Sequence, residues 1–309
     1  MKNTNEPLLT VVIPLYNEAE NLPAFAKTAV EFCCDRNWKI VFVNDGSQDV
    51  TKQILDGLDP APHVRVVHHK VNRGYGGALK TGIRLVSTPF LITLDGDGQH
   101  HLEDVECLFG FAIQNDADMV VGKREGVKTS PVYRALGKFL IRSFTKILMP
   151  LPVTDLNSGF KLYRTELAKR YITVCPDTMA FSDVITLVFL NEKNLVLEHP
   201  IRVSPRKLGH STITTFTAFE TAMQVLNIAL MFNPLRVFLP ISIFCILAGF
   251  TWGFPIVLLG RGVSVGAMLA IVTGVIFFVL GLLASQLSAI RMERLRDDNH
   301  ASRNGKSDS

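Results

Sequence analysis

Fifty-four residues, from Val237 to Ile290, carry a single charge, that of Arg261. Val237–Leu259 is 23 uncharged residues and Ala267–Ile290 is 24. Each exceeds the ~20 residues a helix needs to cross a bilayer. The short connector Gly260–Gly266 makes the two a hairpin, and Pro240 and Pro255 lie near the ends of the first span, where helices tolerate them. A buried soluble hairpin would need two helices apolar all round, so the membrane reading is preferred. Arg236 precedes the first span and Arg291, Arg294 and Arg296 follow the second. This positive bias predicts both termini in the cytosol. The polar tail Asp297–Ser309 is expected to be disordered.

The rest of the chain is ordinary. The other 255 residues hold 59 of the 60 Lys, Arg, Asp and Glu, about 23%, close to the usual quarter. Net charge is +4, with no basic block of the kind that tracks nucleic acid. Spaced Lys and Arg between Lys123 and Arg170 suit a face near anionic lipid or phosphates. Cys33, Cys34, Cys107, Cys175 and Cys245 form no CxxC pair and read as reduced thiols. Leu8–Tyr16 is apolar, but Pro14 interrupts it and no cleavage site follows, so it reads as a first buried strand rather than a leader.

The first 200 residues alternate strand and helix. Leu9–Leu15 is a near-continuous apolar run, as in a parallel strand covered on both faces. A helix follows, with Asn17 as N-cap and Glu20 at capping-box spacing. Strands Lys39–Val43, Val64–His68, Pro89–Leu94 and Asp118–Val121 alternate with helices Asp49–Leu58, a helix ending near Val86, and Leu102–Ile113. Repeated βαβ units predict a parallel sheet, whose ligands bind beyond the carboxyl ends of strands. Val132–Leu148 has an apolar face and a row of Arg134, Lys138, Arg142 and Lys146, predicting a helix on a membrane surface, with an ordinary surface helix as the competing reading. Thr214–Phe232 is a second interfacial candidate.

Chemistry gathers at strand ends. Asp95-Gly96-Asp97 places two carboxylates at i and i+2 around a glycine. Such hard oxygens suit Mg²⁺ or Mn²⁺ shared with substrate phosphates, and Gln99 and His100 follow closely. Pro14-Leu15-Tyr16-Asn17-Glu18 and Asn44-Asp45-Gly46-Ser47-Gln48-Asp49 add acidic sites at two further strand ends. Asp45 there is placed to accept from a nucleoside, unless it only makes a turn. Arg73 and Lys80 flank the glycine-rich turn and either face phosphates or are solvated. Gly74–Thr81 lacks the glycine a phosphate-binding loop requires, having Leu79 there, so neither an NTPase nor a dinucleotide fold is supported. Of the eight histidines, only His100 reads as a site neighbour; His68 and His69 read as structural or solvated.

PLYNE, NDGSQD, NRGYGGALKTGI and DGDGQH, in this order, resemble the family-2 glycosyltransferases of GT-A fold. VVGKREG around Arg124, TDLNSGFKLYR from Thr154 and PIRVSPRKLGHS ending at Ser211 agree. More narrowly the chain resembles the polyprenyl-phosphate glycosyltransferases, typified by dolichyl-phosphate mannose synthase, over about residues 8–215. Its terminal hairpin resembles that of members carrying their own anchor. The resemblance implies a GT-A catalytic domain over 1–212, an interfacial helix over 213–234, two spans within 235–291 and a polar tail over 292–309. It implies that Pro14, Tyr16, Glu18, Val43 and Asp45 hold the donor nucleoside, and that Asp95, Asp97 and Gln99, beside the Gly96 backbone, hold Mg²⁺ or Mn²⁺ on the diphosphate. Arg124 and Arg206 would bind phosphate at the reacting centre, and Asp155, Ser158 and Ser211 would line the acceptor side. Two positions depart from many relatives: Thr212 stands where they have lysine, and Lys161 where they have arginine.

The expected reaction is inverting transfer from a UDP- or GDP-sugar to a polyprenyl phosphate such as undecaprenyl or dolichyl phosphate. The expected setting is the cytoplasmic face of a bacterial or archaeal membrane, in a homo-oligomer such as a tetramer. A non-catalytic membrane scaffold and a processive polysaccharide synthase are the competing readings. The scaffold need not keep Asp95, Asp97, Arg124 and Arg206 together, and the only tryptophans, Trp38 and Trp252, fit no QxxRW motif.

Overall fold

The computed structural model describes residues 6–58, 61–124, 153–204, 230 and 233–304, with side chains to residue 290. These fall in two units, one built on a sheet and one a helical hairpin.

The sheet unit begins with β1 (Leu9–Leu15), α1 (Leu22–Asp35), β2 (Lys39–Asn44), α2 (Thr51–Asp56), β3 (Val64–His68), α3 (Tyr75–Leu85), β4 (Phe90–Thr93), α4 (Glu103–Gln114) and β5 (Met119–Arg124). It continues with β6 (Lys161–Arg164), α5 (Thr165–Tyr171), α6 (Phe181–Asn191) and β7 (Val196–Ile201). The seven strands run in the order β3-β2-β1-β4-β6-β5-β7. Every residue of β1 is buried, because the strand is covered on both faces. Leu9, Val11, Ile13 and Leu15 join the core formed with α1 and α4. On the alternate side, Val12 and Val43 meet Gly82 of α3. This two-sided burial is why LTVVIPL reads as a continuous apolar run rather than an alternation.

β1 pairs in parallel with both β2 and β4. The chain thus winds one way from β1 to β3 and then crosses back to β4 on the other side. Such a reversal opens a crevice at the carboxyl ends of the strands. The sheet is not wholly parallel, however. β6 runs antiparallel between β4 and β5, while β7 rejoins β5 in parallel. Inserting β6 brings Lys161 beside Thr93, two residues before Asp95.

Asn17 does not cap a helix. It sits at φ 55, its Oδ1 accepts from the Gln48 amide and its own amide donates to Ser47 Oγ. α1 starts later, after Asn21, with a proline in its first two positions, where the missing N–H is no loss. The PLYNE and NDGSQD segments are therefore stitched to each other, and the first does not open a helix.

The hairpin unit is α7 (Pro234–Leu258) and α8 (Val265–Asn304). Pro234–Leu258 and Val265–Ile290 are each long and apolar enough to cross a membrane. Gly249 lies against Ile271 and Ala267, and Gly274 against Ile246 and Ser242, so the helices approach at their small residues, as membrane helices do. The tail departs from expectation: α8 continues through the charged residues to Asn304. The helices predicted at 132–148 and 213–234 lie outside the described residues, apart from Leu230 and the start of α7.

Candidate active site

The parallel register of β1, β2 and β4 sets their carboxyl ends along one edge, with Leu15 beside Asn44 and Val12 beside Thr93. Asp45 and the DGDGQ segment follow directly on that edge.

Asp95 is the centre of the best-organised part. The Tyr75 hydroxyl donates to its Oδ1 at 2.8 Å, and His100 Nε2 lies 3.7 Å from Oδ2. The carboxylate still has a third of its surface exposed. A Cβ on Gly159 would fall 2.5 Å and 2.6 Å from its two oxygens, so glycine at 159 makes the room this carboxylate occupies. Desolvation raises the Asp95 carboxyl, but His100, the Tyr75 hydroxyl and the Arg124 charge more than offset it and hold it below the usual range. Asp95 therefore stays ionised at neutral pH. His100 stacks on Phe160 with ring centroids 5.0 Å apart, and among the described residues its buried Nδ1 has no hydrogen-bond partner. Asp97 accepts the Gln99 amide at 3.1 Å.

No three His, Cys, Asp or Glu among the described residues converge as a ready metal cluster. The donors on this edge are two carboxylates, those of Asp95 and Asp97, with Gln99 adjoining. That set fits Mg²⁺ or Mn²⁺, which commonly keep one or two protein carboxylates and take the rest of their shell from phosphates and water.

Arg124, the last residue of β5, is gripped by Asp155. Its Nε and Nη2 donate to the two carboxylate oxygens at 2.9 and 2.8 Å, and its backbone amide donates at 3.2 Å. The hydrogen bond to Asp155 raises the guanidinium pKa. Desolvation opposes ionisation of Asp155, and Arg124 outweighs it. The loop carrying Asp155 is tied in turn to Glu198 of β7, which accepts from the Thr154 and Asp155 amides. Asp155 thus orients Arg124. Ser158 has no exposed surface, and its hydroxyl serves the turn into β6 through Phe160.

Of the residues expected to hold the nucleoside, Tyr16 is exposed and Asp45 buried. Glu18 is part-buried, and its amide donates to Thr51 Oγ1. Pro14 and Val43 are paired neighbours in β1 and β2. Val43 is wholly buried, with its Cγ2 towards Gly82 of α3, so it presents no atom to solvent. Gly46 has φ +68, and a Cβ there would meet the Val71 backbone at 2.6 Å, so only glycine fits this turn. Lys80 pairs with Asp177 at 2.6 Å rather than standing free beside the glycine-rich turn. Arg206 and Ser211 lie outside the described residues.

Four residues were not singled out from sequence for the roles they hold. Tyr75 and His69 contact Asp95 and Asp45 directly. Lys161 is fully buried. Its Nζ donates to Leu156 O and Ser182 O, both at 2.5 Å, and to Thr186 Oγ1 at 2.8 Å. Asp183, in the first turn of α6, is raised by burial and acts on Lys161 through space. The contact to His69 follows from the strand register: Asn44 pairs with His68, so the next residues along the two strands, Asp45 and His69, are neighbours.

The comparisons with known proteins agree with this geometry. The sequence pattern described as glycosyl transferase family 2 matches residues 10–172, and that of the GtrB C-terminal hairpin matches 233–290. Polyprenol monophosphomannose synthase of Mycolicibacterium smegmatis is 29% identical over 70% of this chain and 84% of its own. Undecaprenyl-phosphate 4-deoxy-4-formamido-L-arabinose transferase of Sodalis glossinidius is 27% identical over 91% of this chain and 89% of its own. A crystal structure of glucosyl-3-phosphoglycerate synthase from Mycobacterium tuberculosis, with Mn²⁺, UDP-glucose and phosphoglyceric acid, superposes with a TM-score of 0.55. At 18% identity over 72% of this chain and 79% of that one, it speaks to the fold alone.

Proposed function

The chain belongs to glycosyl transferase family 2, and we propose that it moves a sugar from a nucleoside-diphosphate donor to a polyprenyl phosphate at a membrane surface. The observation that carries this is the strand-end edge where a held, ionised Asp95 stands beside Asp97. The terminal apolar hairpin supplies an anchor suited to a lipid acceptor.

Asp45 receives the nucleoside, with Pro14, Tyr16 and Glu18 beside it. Asp95 and Asp97, with Gln99, would hold a divalent cation, Mg²⁺ or Mn²⁺, that neutralises charge on the departing diphosphate. Arg124, kept in place by Asp155, binds phosphate through its planar fork; Arg206 is proposed as its companion and Ser211 as part of the acceptor side, while the buried Ser158 supports that side from behind through the turn into β6. A lipid phosphate is already ionised near neutral pH, so no general base is required. One of its oxygens attacks the anomeric carbon, the bond from that carbon to the diphosphate breaks, and configuration inverts. The protein supplies charge already in position, which needs no reorganisation as the diphosphate leaves. Arg236, Arg291, Arg294 and Arg296 at the hairpin ends favour a cytosolic catalytic unit, and a homo-oligomer is the proposed assembly.

The test uses the full chain in detergent with undecaprenyl phosphate, Mg²⁺ or Mn²⁺ and a panel of UDP- and GDP-sugars, read by mass spectrometry. A lipid-linked sugar from one donor, lost with chelator and with Asp97→Ala, is expected. A folded protein that binds neither nucleotide nor metal and makes no product would overturn the reading.

A further inference from the structure

Asp45 and His69 leave the ends of neighbouring parallel strands and meet at once. His69 Nδ1 lies 2.6 Å from Asp45 Oδ1, and each side chain is only 4% exposed. The Arg73 amide donates to the same oxygen at 2.9 Å. His69 Nε2 lies 2.9 Å from Thr81 Oγ1 on α3. The imidazole is thereby spanned between the end of β3 and the helix, and it cannot turn without breaking both contacts. A carboxylate only accepts, so Nδ1 carries the proton in this pair. Among the described residues, no hydrogen bond is made to the second oxygen, Oδ2. Oδ1 is thus occupied by the protein, and Oδ2 is the oxygen left for a ligand's N–H.

We propose that His69 is a positioning residue for nucleoside recognition: by holding Oδ1 it fixes the Asp45 carboxylate so that Oδ2 faces the base. This rests on the reading of Asp45 as the nucleoside acceptor. His69 itself touches neither donor nor acceptor, so its contribution belongs to nucleotide affinity and not to turnover. Because the Arg73 amide remains as a second support, losing His69 weakens binding without abolishing it.

The experiment measures dissociation constants for UDP and GDP by calorimetry on the full chain in detergent with Mg²⁺. KM for donor and acceptor and kcat are measured alongside, on whichever donor is turned over. His69→Phe keeps a ring of similar size without either N–H; His69→Asn keeps a donor. For His69→Phe the expected result is about tenfold weaker binding of the nucleotide used, the loss expected for one hydrogen bond to a charged group. Donor KM should rise by the same factor, with kcat and acceptor KM within twofold and most of the loss recovered in His69→Asn. Unchanged nucleotide affinity in His69→Phe, or a parallel fall of kcat and acceptor affinity, would overturn the proposal. Asp45→Ala separates the two layers. If it too leaves nucleotide binding unchanged, the nucleoside reading of Asp45 fails and takes this proposal with it. If Asp45→Ala weakens binding and His69→Phe does not, only the positioning role fails.

Discussion

Lys161→Met tests how the ground behind the site is held. Lys161 is fully buried, and burial pushes its amine down from 10.5 to about 7, against the pull of Asp183 and Asp155. A group whose pKa falls on folding binds fewer protons in the folded chain than in the unfolded chain between the two values. Stability must therefore rise with pH from about 7 towards 10.5, while below 7 the ammonium is present in both states and its full burial cost is felt. The gap corresponds to ~5 kcal/mol. Integrated over pH 7 to 9, it yields a gain of ~2 kcal/mol. Three acceptors surround Nζ and match the three N–H groups of the ammonium form, which makes this an upper limit. The assay is urea unfolding of the full chain in detergent, followed by near-UV circular dichroism at pH 7, 8 and 9, for the parent and Lys161→Met. Methionine keeps the length and removes the charge. The two carbonyls it leaves without that donor cost ~1–3 kcal/mol each, an offset that does not vary with pH in this window. Without Lys161, Asp183 loses the charge that counters its burial and is raised further. Groups titrating alike in both proteins cancel. Parallel pH profiles for the two proteins would refute the reasoning.

Gly159→Ala places a Cβ 2.5 Å from an Asp95 oxygen, so the carboxylate must shift; kcat/KM should fall by ~10²-fold while circular dichroism shows a folded protein. Asp155→Ala removes both side-chain bonds to Arg124; acceptor KM should rise ~10-fold or more, the loss expected for charge-assisted hydrogen bonds, with the UDP dissociation constant unchanged by calorimetry. Tyr75→Phe deletes the hydroxyl donated to Asp95. Asp95, held low by His100 first and Tyr75 next against desolvation, then titrates at higher pH, and the acid limb of the pH–rate profile should move upward.

Much of this arrangement is legible in the sequence where strands are apolar and bounded by turn residues. β1 and β3 fall on their expected bounds, and the acidic ends of β1, β2 and β4 do share an edge. β6 was hidden because it is four residues long and charged at both ends, KLYR. β7 contains Pro200 and His199, which argue against a strand until its pairing is known. Asn17 matched a capping pattern, yet tertiary bonds to Gln48 and Ser47 won over the local preference. The tail from Asp297 reads as polar and unstructured, but the good helix formers just before it, in Arg291–Arg296, carry α8 on into it as far as Asn304. Lys161 stood out only as a departure from relatives and Asp183 not at all, since what makes them notable is burial, and burial of a charge depends on neighbours that only the fold brings together.

The antiparallel β6 also has a consequence for the order in which the protein can be made. β4 ends at Thr93, and its second neighbour in the sheet does not begin until Lys161. At ~5–20 residues per second of synthesis, that interval lasts several seconds. During it the growing chain carries a finished, apolar β4 with one ladder of N–H and C=O groups unpaired, the kind of edge on which strands from other chains can template. β5 cannot relieve it, because β5 reaches β4 only through β6. The sheet therefore closes from its middle, late, with the two apolar helices following behind it. Slowing translation between residues 93 and 161 should raise aggregation of the nascent chain more than slowing it anywhere before β4.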